Sequence, residues 1–287
     1  MNRPTTSRRE RLLEKIRLSG TGPKRALGQN FLISDHVIDR ILENALETGS
    51  TSFWAAAGRA TAILEIGPGL GALTEGLIAG TGKLGIPFSV IELDRDFASS
   101  WREQGLKVVE ADALQVEWPS LELPAGTRLI SNLPYQISSS LVIDRSVDAQ
   151  GVTSMVLMFQ KEVAKRIMAK PKTEDFGLLS VIAQLGWEIE IVCEAGPQDF
   201  FPPPRVASRV LRFRRKADAP DVQEFTRVLA FAKRAYAHRR KLLAGNLAGG
   251  AANRETIEAV IESMGFTKTA RAEELSPIQI LELFRRL

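Results

Sequence analysis

The chain has 287 residues, of which 44% are hydrophobic, and its 38 lysines and arginines exceed its 34 acidic residues to give a net charge of +4. This length and apolar content suffice for one large domain and a smaller one, each with a buried core. A single cysteine, Cys193, excludes an internal disulfide framework, and two histidines are too few for a zinc cluster.

No stretch of the sequence approaches the roughly 20 consecutive apolar residues that a membrane-spanning helix needs. The arginine-rich start also lacks the apolar stretch and small-residue cleavage site of a secretory signal. We therefore expect a soluble cytoplasmic protein with no membrane partner and no bound metal, and a monomer as the default oligomeric state.

Basic residues are concentrated in two segments. Residues 205–241 contain 12 lysines and arginines against 3 acidic residues, and residues 1–25 contain 8 against 2. Such segregation is typical of a face that binds a polyanion, because binding releases the counterions condensed on phosphates. The alternative is a pair of solvated basic segments without a partner.

In chain order, residues 1–23 are polar and basic, which predicts a mobile N-terminal extension that becomes ordered only on binding nucleic acid. A helix is predicted over 37–46. Short apolar runs then alternate with amphipathic stretches, a pattern that predicts a Rossmann-like α/β fold with a mostly parallel, doubly wound sheet. The predicted strands are 62–66, 88–91, 108–109, 128–131 and 155–159, and the predicted helices are 72–78, 97–104, 138–144 and 161–168.

The pattern changes after residue 178. A predicted helix at 179–185 precedes alternating runs at 188–193 and 208–213, which indicate antiparallel strands at the end of the sheet. From residue 219 the sequence is helical, with breaks at 245–253, 265 and 276–277. We therefore predict an α/β domain over 24–217 and a small C-terminal all-α domain over 218–287.

Three glycines, Gly67, Gly69 and Gly71, lie between the strand at 62–66 and the next helix. They permit a sharp turn and a close approach of the backbone to a ligand, which is a weak signal when it stands alone. Glu92 ends the second strand, where a carboxylate accepts ribose hydroxyls, and Asp112 after the third strand can accept from an adenine amino group. Together these residues favour a nucleoside cofactor, although each acid taken separately is explained equally well as a helix cap.

The sequence Asn132-Leu133-Pro134-Tyr135 closes the strand at 128–131. An exocyclic adenine nitrogen has its lone pair delocalised into the ring, so an enzyme that methylates it must hold the amine with acceptors close to the methyl donor. The Asn132 side-chain oxygen and the Leu133 carbonyl are such acceptors, Pro134 fixes the backbone, and Tyr135 can stack on a flipped-out base. The alternative is an ordinary turn with a packed tyrosine.

Two later segments extend this hypothesis. Residues 200–206 read Phe-Phe-Pro-Pro-Pro-Arg-Val, which is either a stiff connection or an aromatic wall that closes the pocket opposite Tyr135. The run His238-Arg239-Arg240-Lys241 lies in the predicted helical domain, and its place in the larger basic segment favours phosphate contact over a solvated helix face.

These motifs resemble those of the small-subunit ribosomal RNA adenine N6,N6-dimethyltransferases, the KsgA/RsmA family. The resemblance covers nearly everything from Lys24 to Leu287. It is carried by five motifs in the same order, at 27–32 (LGQNFL), 65–74, 132–135, 200–206 and 239–241.

The resemblance implies a class I methyltransferase domain over 24–217 that uses S-adenosylmethionine, and a helical domain that binds small-subunit rRNA in the immature 30S particle. The implied reaction is dimethylation of the N6 amino groups of two adjacent adenosines near the 3′ end of 16S rRNA. Implied cofactor-binding residues are Gln29, Asn30, Leu32, Gly67, Gly69, Glu92, Asp112 and Asn132. Implied catalytic residues are Asn132, Leu133, Pro134, Tyr135 and Phe200, and implied RNA-binding residues are Arg205, Arg239, Arg240 and Lys241.

Two positions depart from the family pattern: Phe176 stands where tyrosine is usual, and Lys172 where glycine is common. The nearest alternative is the related Erm group, which methylates large-subunit RNA. The amino-acid sequences of residues 67–71 and 200–206 favour the small-subunit family instead. A further alternative is an assembly or transcription factor that binds nucleic acid on the same fold, which the intact Asn132 and Tyr135 disfavour.

Overall fold

The structure, a computed structural model, describes residues 7–18, 29–47, 53, 58–250 and 252–287. The chain divides into two compact units. The first, which we call the sheet unit, comprises residues 1–141, 149–164 and 189–214, and the second, the helical unit, comprises residues 142–148, 165–188 and 215–287.

The strands and helices follow one another along the chain in the alternation that the sequence predicts. The strands are β1 (Phe31–Leu32), β2 (Ala62–Ile66), β3 (Phe88–Glu92), β4 (Lys107–Glu110), β5 (Thr127–Asn132), β6 (Val152–Gln160), β7 (Trp187–Ala195), β8 (Phe200–Phe201) and β9 (Ser208–Arg215). The helices are α1 (Arg8–Leu18), α2 (Asp35–Leu46), α3 (Thr74–Leu84), α4 (Arg95–Glu103), α5 (Ser138–Val147), α6 (Lys161–Ile167), α7 (Leu178–Gly186), α8 (Val222–Ala235), α9 (Leu243–Leu247), α10 (Arg254–Ser263) and α11 (Pro277–Arg286).

Within the described residues the main sheet has seven strands in the order β4-β3-β2-β5-β6-β9-β7. The pairs from β4 to β6 are parallel, and β9 runs antiparallel to β6. Every residue of β2 is buried, which is typical of a parallel strand covered on both faces. The predicted mostly parallel sheet with an antiparallel end is confirmed, and it brings the carboxyl ends of β2, β3 and β5 to one edge.

Part of the predicted N-terminal extension forms the helix α1, at residues 8–18. Leu12 is 3% exposed and belongs to the core of the sheet unit together with Leu32 and Ile41. Arg8 also donates from Nη1 to Asp39 of α2 at 2.7 Å. The helix thus buries apolar side chains although the segment is polar and basic in composition. Residues 1–6 and 19–23 of the predicted extension lie outside the described residues.

The helical unit is larger than the predicted all-α domain that begins at residue 218. Its core combines residues of α8 to α11 with apolar side chains from 165–188, including Phe176, Val181 and Leu185. The two departures from the family pattern lie in this added segment. Lys172 has a φ of 66°, a left-handed conformation that glycine adopts without strain, and Phe176 is fully buried with its ring edge against Tyr236.

The strand β5 carries Asn132 at its carboxyl end and a buried arginine, Arg128, near its amino end. Arg128 is 1% exposed, donates from Nε to Ser154 at 2.9 Å and from Nη1 to the Ala45 carbonyl at 2.9 Å, and forms an ion pair with Glu47. Burial lowers the pKa of this guanidinium, and Glu47 opposes the shift. Arg128 thus joins the carboxyl end of α2 to β5, and its charge depends on Glu47.

Replacing Glu47 with glutamine should lower the free energy of unfolding by about 3 kcal/mol, because the buried guanidinium of Arg128 then loses the negative charge of Glu47. Urea denaturation at pH 7 measures this change. The matched control is Glu43→Gln on the exposed face of α2, where Glu43 pairs with Arg40 at 2.8 Å. An exposed pair of this kind contributes less than about 1 kcal/mol to the free energy of unfolding. Equal effects of the two substitutions would show that Arg128 does not rely on Glu47.

Candidate active site

The glycine turn follows β2 and is held from two sides. Gly71 has a φ of 92°, and a Cβ at this position would meet the Trp101 ring at 2.7 Å, so a larger residue does not fit. The Trp101 indole donates from Nε1 to the Gly69 carbonyl at 2.9 Å. The turn therefore presents its backbone, rather than side chains, to the carboxyl edge of the sheet.

Glu92, the last residue of β3, lies across from this turn. It is 6% exposed, and its Oε2 accepts from the Gly69 N–H at 3.0 Å while its Oε1 accepts from the Asp94 N–H at 2.8 Å. Burial raises the pKa of this carboxyl, and the two backbone hydrogen bonds oppose that rise. An ionised carboxylate has about four acceptor positions, so Glu92 keeps acceptors for ligand hydroxyls.

Glu65 of β2 is a second buried carboxyl at the same edge of the sheet. It is 2% exposed, and its Oε2 has no hydrogen-bond partner among the residues that the structure describes. Burial raises the pKa of Glu65 to about 8, and the nearby Thr74 hydroxyl opposes this rise. An orphaned, buried carboxyl oxygen in a cavity wall is suited to a cationic ligand group, which would both pair with it and lower its pKa.

Asn132 ends β5 beside these acids. Its Nδ2 donates to the Asn30 carbonyl at 3.2 Å, which orients the amide and leaves Oδ1 as its acceptor. The Tyr135 hydroxyl lies 2.9 Å from the Ser208 hydroxyl, and this contact fixes the plane of the half-buried ring. The strand end thus presents an amide oxygen and an aromatic ring to the same cavity.

One cavity, open to solvent, unites these groups. The predicted residues that line it are Gln29, Asn30, Leu32, Gly67, Gly69, Glu92, Asn132, Leu133, Pro134 and Tyr135. Glu65, which precedes the glycine turn, also lines the cavity. The lining residues that we did not predict are Leu12, Phe31, Pro68, Leu70, Ala72, Leu73 and Leu93. Phe31 lies inside a recognised motif, whereas Leu12 lies in the segment predicted to be mobile.

A family model described as ribosomal RNA adenine dimethylase matches residues 21–287. The chain belongs to this family. It is 46% identical over 281 residues to the ribosomal RNA small subunit methyltransferase A of Bdellovibrio bacteriovorus, which covers 96% of this chain and 97% of that protein. It is 38% identical to the protein of the same name from Bordetella avium, over 91% of this chain and 93% of that protein.

Solved structures agree on the fold. The 23S rRNA methyltransferase ErmE matches with a TM-score of 0.62 and 27% identity, over 90% of this chain and 99% of that chain. A dimethyladenosine transferase from Plasmodium falciparum matches with a TM-score of 0.68 and 21% identity, over 88% of this chain and 95% of that chain. The predicted class I methyltransferase fold is confirmed, and the chain is an S-adenosylmethionine-dependent enzyme.

The cavity fits that cofactor in chemistry. S-adenosylmethionine has a sulfonium and an amino group, which suit the orphaned Oε2 of Glu65, and ribose hydroxyls, which suit the remaining acceptors of Glu92. Among the described residues, no group of three histidine, cysteine, aspartate or glutamate side chains is placed to bind a metal ion. In the same part of the chain, no helix is long and apolar enough to cross a membrane.

Two predicted site residues lie apart from the cavity. The Asp112 carboxylate accepts from the Leu114 N–H at 2.9 Å, so in this structure it stabilises its own loop. Phe200 is 3% exposed and packs in the core of the sheet unit, whereas the next residue, Phe201, is 40% exposed and pairs with Phe31 between β8 and β1. Neither Asp112 nor Phe200 is among the residues that line the cavity in this structure.

The predicted RNA-binding residues differ in their surroundings. Arg205 in the sheet unit, and Arg240 and Lys241 in the helical unit, are exposed. Arg239 donates from Nε to Glu273 at 2.9 Å and from Nη2 to the Thr173 carbonyl at 3.3 Å. Arg239 therefore holds local structure in addition to any contact with RNA.

The raised pKa of Glu65 predicts that cofactor binding releases a proton. At pH 7 a carboxyl with a pKa of about 8 is mostly protonated in the free protein, and a cation bound at Oε2 lowers that pKa. Affinity for S-adenosylmethionine should therefore increase with pH up to about pH 8. Calorimetry in buffers of different ionisation enthalpy measures the released proton, and Glu65→Gln should remove it. Binding to the wild-type protein without proton release would contradict this role of Glu65.

Replacing Asn132 with alanine should reduce the rate of methyl transfer about 100-fold, because the target amine loses the acceptor that orients it. The Kd for S-adenosylmethionine should change much less. Single-turnover methylation and calorimetry measure the two quantities, with Gln136→Ala, an exposed position just beyond the motif, as the control. Equal losses in rate and affinity would assign Asn132 to cofactor binding alone.

Proposed function

We propose that this protein dimethylates the N6 amino groups of two adjacent adenosines near the 3′ end of 16S rRNA, late in 30S biogenesis. The observation that carries the proposal is the single cavity in which Glu65 and Glu92 lie beside Asn132 and Tyr135. A site for a cationic nucleoside thus adjoins acceptors and an aromatic ring for a planar amine. The small-subunit name of relatives at 46% and 38% identity supports the choice of RNA.

The chain's own residues position the amine. When bound, S-adenosylmethionine would supply a methyl group to the nitrogen lone pair and would leave as S-adenosylhomocysteine, while the amine would lose one hydrogen as a proton. The Asn132 oxygen and the Leu133 carbonyl accept the amino hydrogens of the target, which aims its nitrogen at the methyl carbon. The Tyr135 ring, held through Ser208, stacks on the flipped adenine and offsets part of the cost of removing it from the RNA stack, at roughly 1 to 3 kcal/mol per base.

Residues outside the cavity bind the remainder of the RNA in this proposal. Arg205 in the sheet unit, and Arg239, Arg240 and Lys241 in the helical unit, contact phosphates. The substrate is the rRNA of the immature 30S particle. The enzyme acts as a monomer in the cytoplasm.

Methyl incorporation from labelled S-adenosylmethionine tests the proposal. Unmodified small subunits and protein-free large-subunit RNA are compared, and the products are digested for nucleoside analysis. The proposal expects dimethyladenosine in the small-subunit RNA only. Label confined to large-subunit RNA would assign the chain to the activity named for ErmE, and tight binding without label would indicate a noncatalytic RNA-binding factor.

Charge reversal in the helical unit should flatten the salt dependence of RNA binding. The variant Arg240→Glu/Lys241→Glu loses two phosphate contacts, so the slope of log K against log salt should decrease in magnitude by about 1.5. The control variant, Lys83→Glu/Lys107→Glu, makes the same change in charge at exposed positions outside both basic segments. Filter binding between 50 and 200 mM salt measures both, and identical slopes would exclude Arg240 and Lys241 from the RNA interface.

A further inference from the structure

The helix α1 precedes residue 21, where the match to the family model begins, and yet it touches the cavity of the active site. Leu12 is 3% exposed and forms part of the cavity wall. Arg8, Leu12 and Lys15 are spaced by four and three residues, so they lie along one face of the helix. This face meets the sheet unit, while Arg9 and Glu10 are exposed.

Lys15 connects this face to the glycine turn. Its Nζ donates to the Leu70 carbonyl at 3.2 Å and forms an ion pair with Glu75 in the first turn of α3. It also lies 6.0 Å from the centre of the Trp101 ring, whose indole donates to the Gly69 carbonyl. A single side chain of α1 thus contacts the loop and the helix start that form the cofactor side of the cavity.

The amino end of α1 is held separately. Arg8 donates from Nη1 to Asp39 at 2.7 Å and lies 3.7 Å from Asp35, both on α2. With Arg8 attached to α2 and Lys15 attached to the glycine turn, the helix spans the intervening part of the sheet unit, and Leu12 lies between the two attachments. This placement accounts for the burial of Leu12 on the inner face of the helix.

We propose that α1 is an additional part of the S-adenosylmethionine site, in which Leu12 contacts the bound cofactor and Lys15 positions the helix against the glycine turn. The proposal rests on the assignment of this cavity to the cofactor. Leu12 supplies apolar contact area, and Lys15, already paired with two oxygens, adds no uncompensated positive charge beside a cationic ligand. Neither residue takes part in the methyl transfer step.

Calorimetric titration of the full-length chain with S-adenosylhomocysteine tests this role without requiring RNA or turnover. Leu12→Ala should raise the Kd about tenfold, because the lost apolar contact weakens binding directly. Lys15→Met retains the aliphatic stem but removes both polar attachments, and it should raise the Kd about threefold. Arg17→Met, on the same helix and paired with Glu14 at 3.8 Å, is the matched control and should bind as the wild type does.

Thermal unfolding of each variant shows whether it is folded. If Leu12→Ala is unstable, Lys15→Met decides the test. The Lys15 side chain is 40% exposed, so its replacement should leave the fold intact. A wild-type Kd in folded Lys15→Met and Leu12→Ala would overturn the proposal for α1. Glu92→Ala separates this failure from a failure of the site assignment. Loss of binding in Glu92→Ala supports the cavity as the cofactor site, whereas unchanged binding there would overturn both proposals.

Discussion

Two buried carboxyl groups at the ends of adjacent parallel strands determine the chemistry of this site. Glu65 and Glu92 are 2% and 6% exposed, and burial opposes ionisation of both groups. Glu92 is stabilised by two backbone N–H groups. Oε2 of Glu65 has no such partner among the described residues, so the cavity is complementary to a cation that also carries hydroxyl groups.

The sheet determines which groups can meet these acids. Because β2, β3 and β5 are parallel neighbours, their carboxyl ends lie at one edge, where the acids of two strands meet the Asn132 motif of the third. Arg128 supports this arrangement from within β5, where its guanidinium binds the last carbonyls of α2 and Glu47. A buried ion pair contributes little net stability by itself; here it joins a helix to the strand that carries Asn132.

Motifs and apolar periodicity predicted the features that depend on local sequence. The strand at 62–66 was predicted to the residue, and the motif at 132–135 lies in the predicted cavity. The sequence motifs did not predict which of two neighbouring side chains points into the core and which points to solvent. Phe200 and Phe201 are adjacent in sequence, but strand alternation buries Phe200 and exposes Phe201.

The number of basic residues in a segment overstates the positive charge available to RNA, because some of these residues form ion pairs within the protein. The basic segment 205–241 includes Arg209 and Arg212, which pair with Glu194 and Glu190 of β7, so part of its charge stabilises the sheet unit. Asp112 makes its own turn rather than lining the cavity. Leu12 was not predicted to line the cavity, although Leu12, Leu13 and Ile16 lie at helical spacing, because the position of a short helix depends on tertiary contacts.

A crystal structure of this chain with S-adenosylhomocysteine tests the central claim most directly. We expect the ribose hydroxyls within hydrogen-bond distance of Glu92, the amino group near Oε2 of Glu65, and the sulfur on the Asn132 side of the cavity. A nucleoside bound elsewhere, or one in this cavity that contacts neither carboxylate, would contradict the account.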